Sequence, residues 1–172
     1  NYLAGQRKLI DYSQALFDQA VTDLTTMSSK PNLLLIVGDL SKDGEQISHE
    51  YVKGKLDALK NAGIPTLVIP GNHDLTGTVD LGEFYKDFGY SDATAQEGLS
   101  YVAEPFPGLT LLGINSGTEG KLSEETLNFA VNQAKAATGK GNQIICMMHH
   151  ALLPHISYAN VLASICPALP KT

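Results

Sequence analysis

Three short stretches of the sequence hold side chains that could do chemistry together. "LLLIVGDLSKDGE" carries Asp39 just past an apolar run, with Asp43 close behind. "TLVIPGNHDL", Thr66 to Leu75, ends its apolar run in Asn72, His73 and Asp74, with no spacing between them. "IICMMHH" ends in His149 and His150. Apolar runs that break into polar groups read as buried strands with polar ends. In open α/β sheets, ligands gather outside the carboxyl ends of parallel strands. If the three strands are parallel neighbours, these residues converge.

A carboxylate, an amide oxygen and imidazoles make a mixed oxygen and nitrogen donor set with no thiolate. Such a set suits divalent Mn, Fe, Zn or Ni. A carboxylate can bridge two ions, and two ions about 3.5–4 Å apart can clamp a phosphoryl group during in-line displacement. Each residue also has a plainer use. Asp39 could form a turn or cap a helix, and "GNHD" could be a simple turn, since Asn and Asp tolerate left-handed backbone. The histidine pair could be one core and one solvated imidazole. Three coincidences of the same kind favour the shared site.

The elements that must position these groups follow from periodicity. "RKLIDYSQALFDQAVTDL" places Leu9, Leu16, Phe17, Ala20, Val21 and Leu24 on one helical face. "NLLLIVGDL" is a continuous apolar run, which predicts a strand buried on both faces. "DGEQISHEYVKGKLDALKNAG" predicts a helix with Tyr51, Leu56 and Leu59 inward and Gly63 as its stop. Strand, helix and the "TLVI" strand form a βαβ unit with a parallel sheet. "LSYVAEPFPGLTLLGINS" reads as two strands joined at Pro107-Gly108. Ser123 is placed to cap the helix "EETLNFAVNQAKAA", where Glu124 and Glu125 complement the positive helix end. "NQIICMM" predicts another buried strand, with Cys146 a reduced thiol inside it. Glu45 is expected at the start of its helix, and His49 on that helix as a structural or solvated side chain.

Composition narrows the function class. The 172 residues are 43 % hydrophobic and 17 % charged, as in a globular domain. Eighteen acids against 12 bases give a net charge of −6. That balance disfavours a nucleic-acid partner held by electrostatics, and a basic membrane-surface role. A phosphate ester remains compatible, because bound cations reverse a local field. No apolar run is long enough to span a bilayer. Two cysteines, Cys146 and Cys166, cannot make a cysteine zinc site or a disulfide framework.

"GDLSKDGE", then "GNHD", then "MMHH" resembles the calcineurin-like metallophosphoesterases. Their ordered motifs are Asp-x-His, Gly-Asp-x-x-Asp, Gly-Asn-His-Asp/Glu, a single His, and Gly-His-x-His. Three of the five are matched here, in order, within a resemblance running from about Arg7 to about Pro154. The resemblance is strongest to bacterial phosphodiesterase-like members. It implies a four-layer α/β/β/α sandwich of two mixed sheets, and hydrolysis of a phosphodiester or phosphomonoester by a metal-bridging hydroxide. The implied cofactors are two divalent metal ions, and the implied partner is a phosphate ester substrate.

The residue roles implied by the resemblance are specific. Asp39 stands for the carboxylate shared by both ions. Asn72 stands for the amide ligand of the second ion, and also touches a substrate phosphate oxygen. His149 matches the single ligand histidine. His73 stands near the leaving group, as general acid or transition-state stabiliser, with Asp74 holding its imidazole. Asp43, taken as the second carboxylate of its motif, would hydrogen-bond a ligand or the loop amides. His150 would line the site, and His155 could approach it.

The first and last motifs of the family are absent from the sequence. The chain is therefore expected to be a single domain over residues 1–172, incomplete at both ends. The competing reading is a binding or structural module that keeps the fold without a complete metal site. A nuclease sharing the catalytic core is a further alternative, disfavoured by the charge.

Overall fold

Parallel pairing of β1 (Leu34–Val37) with β2 (Thr66–Ile69) sets the level at which the first two motif loops begin. The register ends at Val37 opposite Ile69, so Gly38-Asp39 and Pro70-Gly71 leave the sheet side by side. A computed structural model describes residues 10–91 and 93–151 of the chain. A second sheet runs β3 (Ala95–Glu97), β4 (Ser100–Phe106), β5 (Leu109–Ile114) and β6 (Gln143–Met148). β3, β4 and β5 are antiparallel neighbours, and β5 pairs parallel with β6. That register closes at Ile114 opposite Met148, so the loop after β5 and the histidine pair after β6 emerge together.

The two sheets face each other, β1 towards β6 and β2 towards β5. Helix α2 (Gln46–Asn61) covers the first sheet, with α1 (Ser13–Thr26) packed on it. A single-turn helix α3 (Leu81–Phe84) precedes the second sheet, and α4 (Glu124–Gly139) lies on β5 and β6. The layers are thus α/β/β/α, as expected. Of the two sheets only the four-stranded one is mixed; the other is purely parallel among the described residues.

The layers are joined by two clusters of buried apolar residues. Leu56, Leu59, Ile64, Val68, Ile69, Phe88, Tyr101 and Leu111 fill the larger one, around the first sheet. Tyr101 donates its hydroxyl to the Val68 carbonyl at 2.9 Å, tying one sheet to the other without an orphaned polar atom. Val102, Leu112 and Ile114 form the smaller cluster with Phe129 and Ala134 of α4. Ser123 caps α4 as expected, accepting from the Thr126 amide at 3.1 Å. Glu45 is the residue before the first turn of α2. No helix among the described residues is long and apolar enough to cross a membrane.

Three expectations about burial are corrected. β1 is only half-buried, with Val37 45 % exposed, and β6 leaves Ile144, Ile145 and Cys146 exposed. Both strands lie at a sheet edge among the described residues, so a run of apolar residues there does not have neighbours on every side. Cys146 is accordingly an exposed thiol. In α1, Leu16 is 57 % exposed and Ala20 is exposed, while Val21 is buried and Phe17 and Leu24 are half-buried. A helix packed on another helix buries a narrower stripe than one lying on a sheet. Leu9 falls outside the described residues.

His49 is fully buried, against an expectation that allowed a solvated ring. Its Nδ1 meets the Tyr85 hydroxyl at 2.8 Å, and Phe84 and Tyr85 pack edge-on around it. Its Nε2 has no partner among the described residues. Burial lowers the tendency of this imidazole to take a proton, below its ordinary 6.5, although the carboxylates of Asp74 and Glu45 pull the other way. The folded state therefore holds fewer protons than the unfolded chain just below pH 6.5. Stability from this group is full above that pH and is lost as pH falls towards the lower folded value, by at most about 1.4 kcal/mol per pH unit. Denaturant titrations between pH 7 and pH 5 are expected to show a shallower pH slope for His49→Gln than for the wild-type protein. Equal slopes would remove His49 from the account.

Candidate active site

The first motif loop reaches the site through an uncommon backbone. Asp39 has φ of 55°, the only described non-glycine residue with positive φ. That region costs an L-residue about 1–2 kcal/mol, least for Asp and Asn. The loop is pressed against its neighbour: a Cβ on Gly38 would stand 2.1 Å from the Gly71 nitrogen, and one on Gly71 2.3 Å from the Asp39 nitrogen and carboxylate. Only two glycines allow the backbones of "GDLS" and "PGNHD" to touch, and that contact brings Asp39 beside Asn72 and His73.

Asp39, Asn72 and His149 come together. His149 Nε2 lies 3.1 Å from Asn72 Oδ1 and 3.3 Å from Asp39 Oδ1. Its other nitrogen, Nδ1, lies 2.8 Å from the Val37 carbonyl, which can only accept. Nδ1 therefore carries a hydrogen, and Nε2 is the nitrogen turned towards two oxygens. Three electron-rich atoms around one point require a proton or a cation between them. A ligand histidine held through its second nitrogen by a backbone carbonyl is the usual arrangement at a metal. Donors about 3 Å apart also match neighbouring ligands around an ion with bonds of about 2.1 Å. The trio thus fits part of one divalent ion's shell. No cluster of three His, Cys, Asp or Glu side chains forms among the described residues.

His73 sits at the edge of the same crevice. Its Nδ1 donates to the Lys42 carbonyl, which fixes the ring through that nitrogen and leaves Nε2 at its other edge. Asp43 stands 3.9 Å from Nδ1 and pairs with Lys42, whose ammonium holds the Asp43 carboxyl below its ordinary range. The spacing of the motif is also off by one: Lys42 occupies the place of its second acid, and Asp43 follows. Asp43 is exposed and bonds none of the three donors.

The expected contact between Asp74 and His73 is not made. Asp74 is 2 % exposed and turns inward. It accepts the amides of Leu40 at 3.1 Å, Ser41 at 2.8 Å and Gly71 at 2.8 Å, and the Ser41 hydroxyl at 2.8 Å. Its work is to bind one motif loop to the other. Ser41, unremarked in the sequence, also accepts the Gly44 amide at 3.0 Å. The signal was its place two residues after Asp39 in a tight loop.

His150 packs edge-on to His149, with ring centres 4.9 Å apart. Burial and the neighbouring His149 hold its imidazole below the ordinary value. His155 falls outside the described residues.

A sequence model of the calcineurin-like phosphoesterases matches residues 8–163. The chain belongs to the calcineurin-like phosphoesterase family. Among relatives of this chain, one from Arcobacter nitrofigilis, named as a probable glycerophosphodiester phosphodiesterase, is 27 % identical over 145 residues. That match covers 82 % of the chain and 49 % of the relative. Another, from Moraxella catarrhalis, named as a probable cyclic nucleotide phosphodiesterase, is 26 % identical over 134 residues, covering 73 % of the chain and 46 % of the relative. A Synechococcus protein with the latter name is 46 % identical over 44 residues, 26 % of this chain and 16 % of that relative. The chain spans about half the length of the two more fully matched relatives.

Proposed function

We propose that the full-length protein hydrolyses a phosphate ester, a phosphodiester in preference to a monoester, with two divalent ions. The observation that carries this reading is Nε2 of His149 facing the oxygens of Asn72 and Asp39 at 3.1 and 3.3 Å. Such a donor set accommodates a cation, and membership in the calcineurin-like phosphoesterase family supports reading that cation as catalytic. Bound ions would supply Lewis acidity and lower the pKa of water towards neutrality. Asp39, Asn72 and His149 would hold them, Asp39 being the carboxylate able to touch both.

The chain's own residues supply the rest. Asn72 orients its amide towards the crevice, where its nitrogen can donate to a phosphate oxygen. His73, anchored through Nδ1, presents Nε2 to the departing oxygen; once protonated, it can deliver that proton to the alkoxide. Asp43, 3.9 Å away, forms an ion pair with the ring only in the protonated state. The preference for diesters rests on the names of the relatives and on the resemblance of "GDLSKDGE" and "GNHD" to phosphodiesterase-like branches.

Metal removal tests the reading. Dialysis of the full-length protein against a chelator is expected to abolish hydrolysis of bis-p-nitrophenyl phosphate, and Mn, Fe, Zn or Ni to restore it. About two ions per chain should return with activity. No hydrolysis with any of these ions would favour the binding-module alternative.

A further inference from the structure

The loop after β5 is fastened to the second histidine of the pair. Ser116 is 2 % exposed, and its hydroxyl oxygen lies 3.3 Å from the His150 amide and 2.9 Å from His150 Nδ1. The amide can only donate, so it uses one lone pair of the hydroxyl. The single hydroxyl hydrogen has no other acceptor among the described residues, and leaving it unpaired in a buried site would be costly. It is therefore donated to Nδ1. The neutral imidazole then carries its own hydrogen on Nε2.

Gly120 fixes the ring from behind. It has φ of 67°, and a Cβ there would stand 2.9 Å from Cγ of His150. The ring is thus pinned by a hydroxyl, by a glycine and by His149, whose Nε2 faces Asp39 and Asn72. His150 Nε2 has no hydrogen-bond partner among the described residues. An Nε2 that carries hydrogen cannot ligate a metal, so His150 presents a donor beside His149, whose Nε2 faces the oxygens of Asp39 and Asn72.

We propose that His150 is a substrate-contacting residue that donates Nε2–H to a non-bridging oxygen of the phosphate group, with Ser116 as its positioning residue. This rests on the phosphate-ester reading above. A phosphate is the fitting partner, because it presents acceptor oxygens and negative charge beside a cation site.

The test uses the full-length protein loaded with diamagnetic Zn. Two-bond proton–nitrogen spectra of the histidine rings are expected to show His150 with hydrogen on Nε2, and to lose that preference in Ser116→Ala. Inorganic phosphate should shift the Nε2–H signal. With bis-p-nitrophenyl phosphate, His150→Ala is expected to lower kcat/KM about ten- to a hundredfold, the usual worth of a hydrogen bond to a charged group. His150→Gln, whose amide reaches the place of Nε2, should recover most of that loss. His150→Asn, whose amide reaches only the place of Nδ1, should not. A merely structural histidine would not rank Gln above Asn in this way. Hydrogen on Nδ1 in the wild-type protein, an Nε2–H signal indifferent to phosphate, or equal kinetics for Ala and wild type would overturn the proposal. A wild-type protein without hydrolytic activity would overturn the function reading alone, and the phosphate titration would still decide His150.

Discussion

Asp39→Asn is expected to lower hydrolysis by the full-length protein about a thousandfold or more while leaving it folded. The substitution removes one charge and little else. Asn tolerates positive φ about as well as Asp, so the 55° backbone at this position is not disturbed. The carboxylate oxygen that accepts the His73 amide at 3.3 Å is replaced by an amide oxygen able to do the same. Lost is the one carboxylate that faces His149 Nε2 among the described residues, and with it the negative charge that makes a cation favourable there. Two-ion catalysis draws several kcal/mol from charge stabilisation, and about 1.4 kcal/mol is a factor of ten. Bound metal measured on the same preparation should fall with activity, and the melting temperature of the metal-free protein should not. A variant that keeps its metals and a tenth of its activity would show that Asp39 is not the shared ligand.

The parts of this site that were legible in the sequence are those set by strand ends. Apolar runs fix where β1, β2 and β6 stop, and parallel pairing of β1 with β2 sets Asp39 beside Asn72. β6 is not their neighbour in one sheet, the arrangement expected from the sequence; His149 joins them because the second sheet packs β6 against β1. The α/β/β/α layering came from the family resemblance, and packing bears it out. Burial was less legible. "LLIV" and "IICMM" read the same whether a strand is interior or at an edge, because the pattern records what a strand could bury and not which neighbours it has. The direction of Asp74 was not legible at all. Adjacent residues in a turn point to different sides, and the 3-10 turn Asp74–Thr76 sends this carboxylate inward while His73 stays at the crevice. The Ser116–His150 contact joins residues 34 apart in sequence and depends on the register of β5 with β6, which no local pattern encodes.

Asp74→Asn is expected to destabilise the protein by about 3–5 kcal/mol, a large part of a typical domain's total of about 5–15. The two oxygens of Asp74 each accept two hydrogen bonds: the Ser41 amide and hydroxyl on one, the Leu40 and Gly71 amides on the other. An asparagine amide has one oxygen. Whichever way it is turned, its NH2 group meets two donors, and these lose their acceptor in a place that water does not reach. For a chain of this size the loss corresponds to a fall in melting temperature of about 10 °C. Ser41→Ala, which removes one of the four donors and the acceptor for Gly44, should cost less, about 1–2 kcal/mol. The two loops carry Asp39 and Asn72, so metal affinity should weaken in the same order, Asp74→Asn before Ser41→Ala. The alternative role, holding the His73 imidazole, makes the opposite forecast: a large fall in kcat with the melting temperature and metal content unchanged. Thermal denaturation and metal analysis on the two variants separate these outcomes. The inward-facing geometry of Asp74 supports the first, because a carboxylate already accepting four hydrogen bonds has none left to offer an imidazole outside.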